Sequence, residues 1–267
     1  MRNQVFVFDL ETIIDEDVAA TILGNRDQDL STAIFEYHKT NYSNDFPRAV
    51  FWKIACLSYV SAEFDATGFK VKSIKSAGEL DSDELKIITG FKNYCIKNKP
   101  RLVSYNGKNF DIPVLKYRFM KHDMDMAWFY AKTDDTKWAK DTYNDKWGEE
   151  YNLDLYQFYK QPNGGMNMRE ACSIFQIPVK MDIDGGEVAE SYKNGDIMGI
   201  RNYCEQDAIA TYILFLISCF HRGELTHDQY SNSMTNLLQC LGEKSEQHFI
   251  DFFSDCKKSG FLSKFIK

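Results

Sequence analysis

A long helical pattern spans residues 196–221 and sets a carboxylate among apolar side chains. Apolar residues recur through it at helical spacing, namely Ile197, Ile200, Tyr203, Ile209, Ile213 and Leu216. Asp207 lies inside this pattern and is followed directly by the apolar run AIATYILFLI. A carboxylate that is buried without a partner is costly. The pattern therefore predicts a helix whose Asp207 needs a cation or a polar partner, and the apolar flanks weaken the alternative of a surface turn.

The chain before this helix alternates between strand and helix patterns. Strands are predicted at residues 4–10, 50–61, 69–76 and 101–105. Helices are predicted from Asp81, which forms a capping-box pattern with Glu84, and at residues 111–122, 153–160 and 168–176. A strand meander, alternating helices and a late return helix together indicate the α/β class with a mixed sheet.

Three stretches fall outside this alternation. Residues 13–48 are polar, with one helical stretch near residues 29–38, and are typical of an insertion or a flap. Residues 130–152 carry no pattern that we can assign. From residue 223 onward, two weakly amphipathic segments lead to a basic end.

Composition restricts the classes of function. The net charge of −7 argues against a histone-like, nonspecific nucleic-acid binder. It does not exclude a nuclease, because bound cations offset a cluster of carboxylates. No apolar run approaches the roughly 18 to 20 residues that span a bilayer, and the short apolar amino-terminal stretch does not suit a secretory signal. We therefore expect a cytoplasmic protein without a membrane segment.

The cysteines indicate neither a zinc site nor a disulfide framework. Their number is odd, at 7, and no pair has the spacing of a zinc knuckle. Most of them stand in apolar surroundings such as ACLSY and ISCFH. We expect reduced, buried thiols.

The first acidic motif is FDLET, residues 8–12. Side chains at alternate positions of a strand share a face, so Asp9 and Glu11 point the same way at a strand end. Two adjacent carboxylates repel each other unless a cation lies between them, and oxygen ligands suit Mg²⁺ or Mn²⁺. A strand that simply runs into a polar turn is the alternative.

The second motif is SYNGKNFDIP, residues 104–113, in which Asp111 stands at a helix start after an Asn-Gly turn. An ordinary turn followed by an N-cap aspartate would look the same. The third motif is YCEQD, residues 203–207, in which Tyr203 and Asp207 are four residues apart and share a helix face. The three motifs follow one another at intervals of about a hundred residues, an order that chance does not easily supply.

These motifs resemble those of the DnaQ-like 3′–5′ exonucleases of the tyrosine (DEDDy) subtype. YNGKNFDIPVL is especially similar to the proofreading domain of family B DNA polymerases, and SIFQIPVK with the stretch through YCEQD is similar to stand-alone exonucleases related to that domain. The resemblance covers roughly residues 3–222. Asn202 stands where the histidine subtype would have its histidine. The resemblance implies an RNase H-like α/β fold, with a mixed central sheet flanked by helices, over residues 1–222, carrying the insertion 13–48. Residues 223–267 would form a helical C-terminal extension.

The resemblance also implies a two-metal-ion exonuclease. Asp9 would bridge two ions, Mg²⁺ or Mn²⁺, with Glu11 and Asp207 on the first and Asp111 acting on the second, largely through waters. Tyr203 would orient the attacking water, since a phenol is a poor base at neutral pH. The substrate would be the 3′ end of a single-stranded nucleic acid, DNA more than RNA. We expect no polymerase domain in this chain, and the pattern does not address the oligomeric state.

Further residues are candidates for substrate contact. The resemblance places Leu10, Thr12, Asn106 and Phe110 near the terminal nucleotide, although Phe110 could equally be core packing. Four cations could line a backbone track or simply be solvated: Lys108, Lys116, Arg118 and Lys121. Asp154 is an N-cap candidate more than a further acidic ligand.

Two other functions remain open at this stage. One is a nucleic-acid-binding module that keeps the fold without activity, which a missing carboxylate would favour. The other is a phosphodiesterase of very short oligoribonucleotides, which the net charge of −7 would suit because weak electrostatics limit the grip on long chains.

Overall fold

The structure, a computed structural model, describes residues 2–27, 29–42, 45–79, 84–133, 142–161, 164–178 and 185–265. Within these ranges, no helix is long and apolar enough to cross a membrane. All seven cysteines are free thiols, and six of them are buried, which confirms the expectation for them.

The core is one mixed sheet of five strands in the order β3-β2-β1-β4-β5. The strands are β1 (Gln4–Ile14), β2 (Trp52–Asp65), β3 (Gly68–Ala77), β4 (Arg101–Ser104) and β5 (Asn152–Asp154). The first three form an antiparallel meander, whereas β4 pairs with β1, and β5 with β4, in parallel. This arrangement confirms the predicted α/β class with a mixed central sheet flanked by helices.

Helices flank both faces of the sheet. They are α1 (Glu16–Leu23), α2 (Leu30–Asn41), α3 (Glu84–Asn98), α4 (Asp111–Lys121), α5 (Ala127–Tyr130), α6 (Leu155–Tyr159), α7 (Met168–Phe175), α8 (Gly185–Lys193), α9 (Ile197–His221), α10 (His227–Gly242) and α11 (Gln247–Lys258). Short 3-10 turns cover Ala49–Phe51 and Phe261–Lys264.

Strand alternation divides the core into two layers. Val5 and Val7 of β1 face the long helix α9 and its neighbours, which form the larger apolar cluster. Phe6 and Phe8 face the opposite way and pack with residues of α3 and α4. Because side chains alternate along a strand, Asp9 and Glu11, which follow on β1, take the same direction as Val5 and Val7.

Several local predictions need correction. Residues 153–160 were expected to be one helix, but they divide into the end of β5 and the short helix α6, whose N-cap is Asp154. The polar stretch 13–48 contains the end of β1 and two helices. One of them, α2, corresponds to the expected helix near residues 29–38, and the other, α1, was not expected. The capping box that begins at Asp81 lies outside the described residues, and α3 is described from Glu84.

The C-terminal helices α10 and α11 belong to the same apolar core as α9. α10 also covers the outer edge of the sheet, where Ser233 and Asn236 accept the backbone N–H groups of Phe69 and Val71, each at 2.8 Å. An edge strand with unpaired backbone groups would otherwise be open to other strands. Helices α10 and α11 therefore contribute to the apolar core, and α10 also covers the edge strand of the sheet.

Candidate active site

The carboxyl end of β1 supplies two carboxylates on the face that α9 covers. Asp9 and Glu11 follow Val5 and Val7 in the strand alternation, so both point toward α9, and Glu11 is buried. The pairing with β2 shifts register directly after Glu11. Such a bulge re-aims the following side chains. Because the bulge comes only after Glu11, the alternation is regular between Asp9 and Glu11, and the two carboxylates share a face, as the first motif predicts.

The loop between β4 and α4 supplies Asp111. Asn106 adopts a left-handed φ of 66°, a conformation that asparagine tolerates. A Cβ on the next residue, Gly107, would lie 2.2 Å from Ser104 Oγ, so only glycine fits there. Asp111 is 5% exposed and begins α4. The Asn-Gly turn thus directs the aspartate inward, to the sheet.

Asp154 fixes that loop from the neighbouring strand. Its carboxylate accepts the backbone N–H groups of Asn106 at 2.7 Å and Lys108 at 3.1 Å, in addition to that of Tyr156 at 3.0 Å. The N-cap interpretation of Asp154 is confirmed. One buried side chain therefore joins the start of α6 to the loop that carries Asp111.

The helix α9 brings the third motif against β1. Asp207 is buried, and its carboxylate accepts a hydrogen bond from the hydroxyl of Tyr203, one turn earlier. Cys204 lies on the same side of the helix and donates its S–H to the backbone oxygen of Asp9 at 3.4 Å and to its carboxylate at 3.5 Å. Ligand atoms of Asp9, Glu11 and Cys204 all lie within 4.8 Å of one another.

Burial opposes ionisation of all four carboxyls, and repulsion within the group adds to it at Asp9 and Glu11. Burial, followed by repulsion from Asp111 and Asp207, raises the pKa of Asp9 well above its usual range. Burial, followed by repulsion from Asp9, does the same to the pKa of Glu11. Burial also raises the pKa of Asp111 and of Asp207 to about 7. Burial is the leading cause at all four carboxyls, so their full ionisation at neutral pH needs a compensating positive charge.

Asp9 is central among the four acids. Both Asp111 and Asp207 raise its pKa by repulsion, and so it lies within electrostatic reach of each of them. Among the described cations, the guanidinium of Arg169 on α7 acts on this cluster by lowering the pKa of Asp207, but it is exposed. A single exposed arginine is weakly coupled to a buried group because solvent screens it.

This donor set fits divalent cations. Carboxylate oxygens are the ligands of Mg²⁺ and Mn²⁺, and several of them at one site become stable as anions only when a cation offsets their repulsion. The thiol of Cys204 adds one softer donor at the edge of the group. Asp9, Glu11, Asp111 and Asp207 are the residues that could hold the ions.

A cavity of about 370 Å³ opens beside the carboxylates. Asp9, Leu10, Asn106, Phe110 and Asp111 line it, so three of the four predicted substrate-contacting residues lie at the cavity. The fourth, Thr12, is buried in β1 beyond the bulge and does not contribute to the lining.

Aromatic rings form one wall of this cavity. Phe110 lies edge-on to Phe46, with 5.5 Å between ring centroids, and Phe46 stacks on Trp52 at 5.1 Å. Phe46 itself is 52% exposed. Phe110 thus takes part in packing and also lines the cavity, and its contact with a nucleotide stays a prediction.

The predicted cationic track is wrong for three of its four members, because Lys108 donates hydrogen bonds to backbone oxygens and Arg118 and Lys121 form ion pairs. Arg118 is 3% exposed and forms ion pairs with Asp15 and Glu84, at 2.6 Å for the latter. Lys121 is also paired with Asp15. These side chains join α4 to the start of α1 and to α3, because a buried guanidinium needs carboxylate partners.

Three residues at the site were missed from the sequence. Phe46 lies in the polar stretch, where a lone phenylalanine gives no periodic signal. Arg169 is near Asp207 only because α7 packs beside α9. Cys204 stood inside the third motif, and its position three residues before Asp207 on one helix was a signal that could have been used.

Comparison with protein families gives a match over most of this chain. A family model described as a predicted 3′-5′ exonuclease related to the exonuclease domain of PolB matches residues 44–256. The match contains Asp111, Tyr203 and Asp207, begins after Asp9 and Glu11, and extends through α10 and most of α11.

Among solved structures, a family B DNA polymerase from the hyperthermophilic archaeon Pyrobaculum calidifontis is similar, with 15% sequence identity and a TM-score of 0.48. The alignment covers 91% of this chain and 29% of the polymerase chain, so this chain corresponds to under a third of that protein's length. Among curated protein sequences, no match is found.

Proposed function

This chain belongs to the family of predicted 3′–5′ exonucleases related to the exonuclease domain of family B DNA polymerases, and we propose that it removes nucleotides from the 3′ end of single-stranded DNA in a metal-dependent reaction. The preference for DNA rests on the family's relation to DNA polymerases, which is an analogy. The geometry of the site supplies the argument for hydrolysis.

One observation carries the proposal. Three segments distant in sequence bring Asp9, Glu11, Asp111 and Asp207 to one end of the sheet, where burial raises the pKa of all four and repulsion from Asp111 and Asp207 further raises that of Asp9. A structural role would favour paired carboxylates, such as Asp15 and Glu84 with Arg118. Unpaired buried acids are instead typical of a functional site.

We assign these four carboxylates as ligands of two divalent cations, Mg²⁺ or Mn²⁺, with Asp9 shared between them. The central position of Asp9, within electrostatic reach of both Asp111 and Asp207, supports this assignment. When bound, such ions stabilise charge on the attacking and leaving oxygens of a phosphodiester.

Tyr203 holds a proton beside the reacting group. Burial, and then repulsion from Asp207, raises the pKa of its phenol above the usual value of 10. The hydroxyl therefore stays protonated at neutral pH, and Asp207 fixes its orientation. In this position it orients a water by hydrogen bonding and does not act as the base. These features support a DEDDy-type site.

The aromatic-walled cavity holds the terminal nucleotide. Phe46 and Phe110 present ring surface next to Asp9 and Asp111, and base stacking on aromatic rings is worth about 1–3 kcal/mol per base without selecting its identity. An exonuclease must bind the last nucleotide whatever its base, and stacking provides such binding.

The test uses 5′-labelled single strands of DNA and RNA with equal sequence, incubated with Mg²⁺, Mn²⁺ or EDTA. We expect a ladder that shortens from the 3′ end, depends on the metal and is faster on DNA. Asp207→Asn should abolish the ladder while it leaves the circular dichroism spectrum unchanged. Asp228→Asn is the matched control, because Asp228 has a side chain that is 97% exposed on α10.

The outcomes separate the alternatives. If only substrates of about two to five nucleotides were hydrolysed, the protein would be a short-oligonucleotide phosphodiesterase and the proposal would be wrong. Binding of both polymers without cleavage in either metal would replace it by a binding module. An Asp207→Asn enzyme with wild-type rate would remove the metal-site assignment altogether.

A further inference from the structure

A second cleft, of about 430 Å³, lies next to the cavity at the carboxylates. The two share Asn109, which lines both of them. The cleft is bordered by the loop before α4, by α4 and α6, and by the segment that carries Trp147. A strand that leaves the carboxylate site past Asn109 would enter this cleft next.

Trp147 is the most exposed large apolar residue of the described chain, at 79%. Exposed apolar surface of this size is unfavourable in water, and an exposed tryptophan is often a recognition group. The ammonium of Lys146 lies over the ring of Trp147, 4.9 Å from the ring centroid. Its loop is nevertheless well held. The carboxylate of Asp145 accepts the backbone N–H of Trp147 at 3.1 Å and closes a tight turn beneath it.

The anchor of that loop is Lys108, from the second acidic motif. Its ammonium group donates hydrogen bonds to the backbone oxygens of Asp145 at 3.3 Å, Lys146 at 3.2 Å and Gly148 at 2.8 Å. Lys108 is three residues from Asp111. Lys108 thus holds the backbone of the segment that carries Trp147 against the loop that positions Asp111. Its ammonium group is used in these hydrogen bonds and is not a free phosphate contact.

The described lining of the cleft carries an excess of positive charge, opposite to the charge of the whole chain. Besides Lys108, it includes three lysines, Lys116, Lys146 and Lys160. Among these described residues, Asp145 is the one acid, and its carboxylate accepts the backbone N–H of Trp147 in the turn. In a chain of net charge −7, this local excess of lysine beside an exposed indole matches a backbone of phosphates with bases between them.

We propose that this cleft binds the single strand of DNA on the 5′ side of the terminal nucleotide, with a base stacked on Trp147 and phosphates next to Lys146 and Lys160. The inference rests on the proposed function for the placement of the 3′ end. It adds a second contact region, which makes longer strands better substrates than very short ones.

The first test compares two substrates in the Trp147→Ala enzyme. A 20-nucleotide DNA strand fills both regions, whereas the p-nitrophenyl ester of thymidine 5′-monophosphate occupies only the carboxylate site. We expect the KM for the 20-mer to rise roughly 5- to 150-fold, the range that loss of one stacked base gives, with the kinetics of the ester unchanged. Trp147→Phe should restore most of the loss. The control is Ile174→Ala, because Ile174 is 58% exposed on α7 and lies outside the cleft.

The second test measures binding alone. Fluorescence anisotropy of a labelled 20-mer, with EDTA to stop hydrolysis, gives Kd against salt concentration. Each phosphate contact contributes about −0.7 to the slope of log affinity against log salt for single strands. Lys146→Ala should reduce the magnitude of this slope by about 0.7, whereas Lys258→Ala, an exposed lysine of α11, should leave it unchanged.

The two tests distinguish the two failures. If wild-type protein hydrolyses neither substrate but binds the 20-mer through Trp147, the proposed exonuclease is wrong and the cleft is supported. If it hydrolyses both and Trp147→Ala leaves KM, Kd and the salt slope unchanged, the cleft is wrong and the exonuclease stands.

Discussion

The carboxylate of Asp154 accepts the backbone N–H of Asn106 at 2.7 Å and so holds the turn that directs Asp111 into the site. The partner lies 48 residues away in sequence, on the strand next to β4. The placement of Asp111 therefore depends on a residue that is itself outside the group of four acids.

We expect Asp154→Asn to lower kcat and to leave KM for DNA nearly unchanged. The amide would present N–H to the N–H of Lys108, which the carboxylate now accepts at 3.1 Å. An unsatisfied buried donor costs about 1–3 kcal/mol, so the free energy of unfolding should fall by a similar amount. Urea unfolding and steady-state kinetics measure the two effects. Unchanged values of both would mean that the loop is held by other contacts.

Loss of the Tyr203 hydroxyl should slow hydrolysis and move its pH dependence. Tyr203→Phe removes a group that orients the reaction, an effect of roughly 10²-fold on kcat, with metal binding preserved. Burial raises the pKa of Asp207 to about 7, and the hydrogen bond from Tyr203 lowers it. Without that bond the pKa of Asp207 rises further, so the acid limb of kcat/KM against pH should shift to higher pH. A shift to lower pH would contradict the assignment.

The metal-free protein should lose stability as the pH rises through the carboxylate range. Asp111 and Asp207 have a pKa of about 7 when folded and near 3.8 when unfolded, so the folded state holds protons that the unfolded chain has released. Stability from these groups is present at low pH and is lost as the pH rises toward about 7. The measurement is the Tm in EDTA at pH 5 and pH 8.

A companion variant isolates this effect. Asp207→Asn removes one repelling charge, so its Tm in EDTA at pH 8 should exceed that of the wild type. Saturating Mg²⁺ or Mn²⁺ should reverse the order, because a ligand present at 100 times its Kd adds about 2.7 kcal/mol. If metal stabilised the variant as much as the wild type, Asp207 would not be a ligand.

Truncation of Phe46 should weaken substrate binding more than the chemistry. Phe46→Ala removes a ring that contacts Phe110 at the cavity, and loss of one stacked base corresponds to a rise in KM of roughly 5- to 150-fold. The kcat at saturation should change little. Met120→Ala, a side chain that is 64% exposed on α4, is the control. A fall in kcat with constant KM would instead indicate that Phe46 orients the reacting group and does not contribute to substrate binding.

The contact between β3 and α10 predicts a glycine effect. A Cβ at Gly68, where φ is +126°, would meet the backbone oxygen of Gln229 at 2.4 Å and Ser233 Oγ at 2.6 Å. Gly68→Ala should therefore destabilise the protein by more than about 1 kcal/mol. Gly90→Ala in the exposed middle of α3, where a Cβ has open space, should stabilise it by up to about 1 kcal/mol. Equal Tm shifts in the two variants would show that α10 can move away from residue 68 without loss of stability.

The sequence by itself determined the α/β class, the mixed sheet, the long helix α9 and the four acidic residues. These follow from local rules: alternation along β1 puts Asp9 and Glu11 on one face, and helical spacing puts Tyr203 beside Asp207. The turn at Asn106 and Gly107 was likewise evident from two adjacent residues.

Only the tertiary structure decided what lies around those residues. Arg118 and Lys121 looked like a cationic track, but folding buries one and pairs both with Asp15. Phe46 reaches the cavity, and Lys108 holds the loop of Trp147, through contacts between segments 37 or more residues apart. Periodicity encodes which way a side chain points from its own element, whereas the partner it meets depends on how elements pack, and that is set by the whole core.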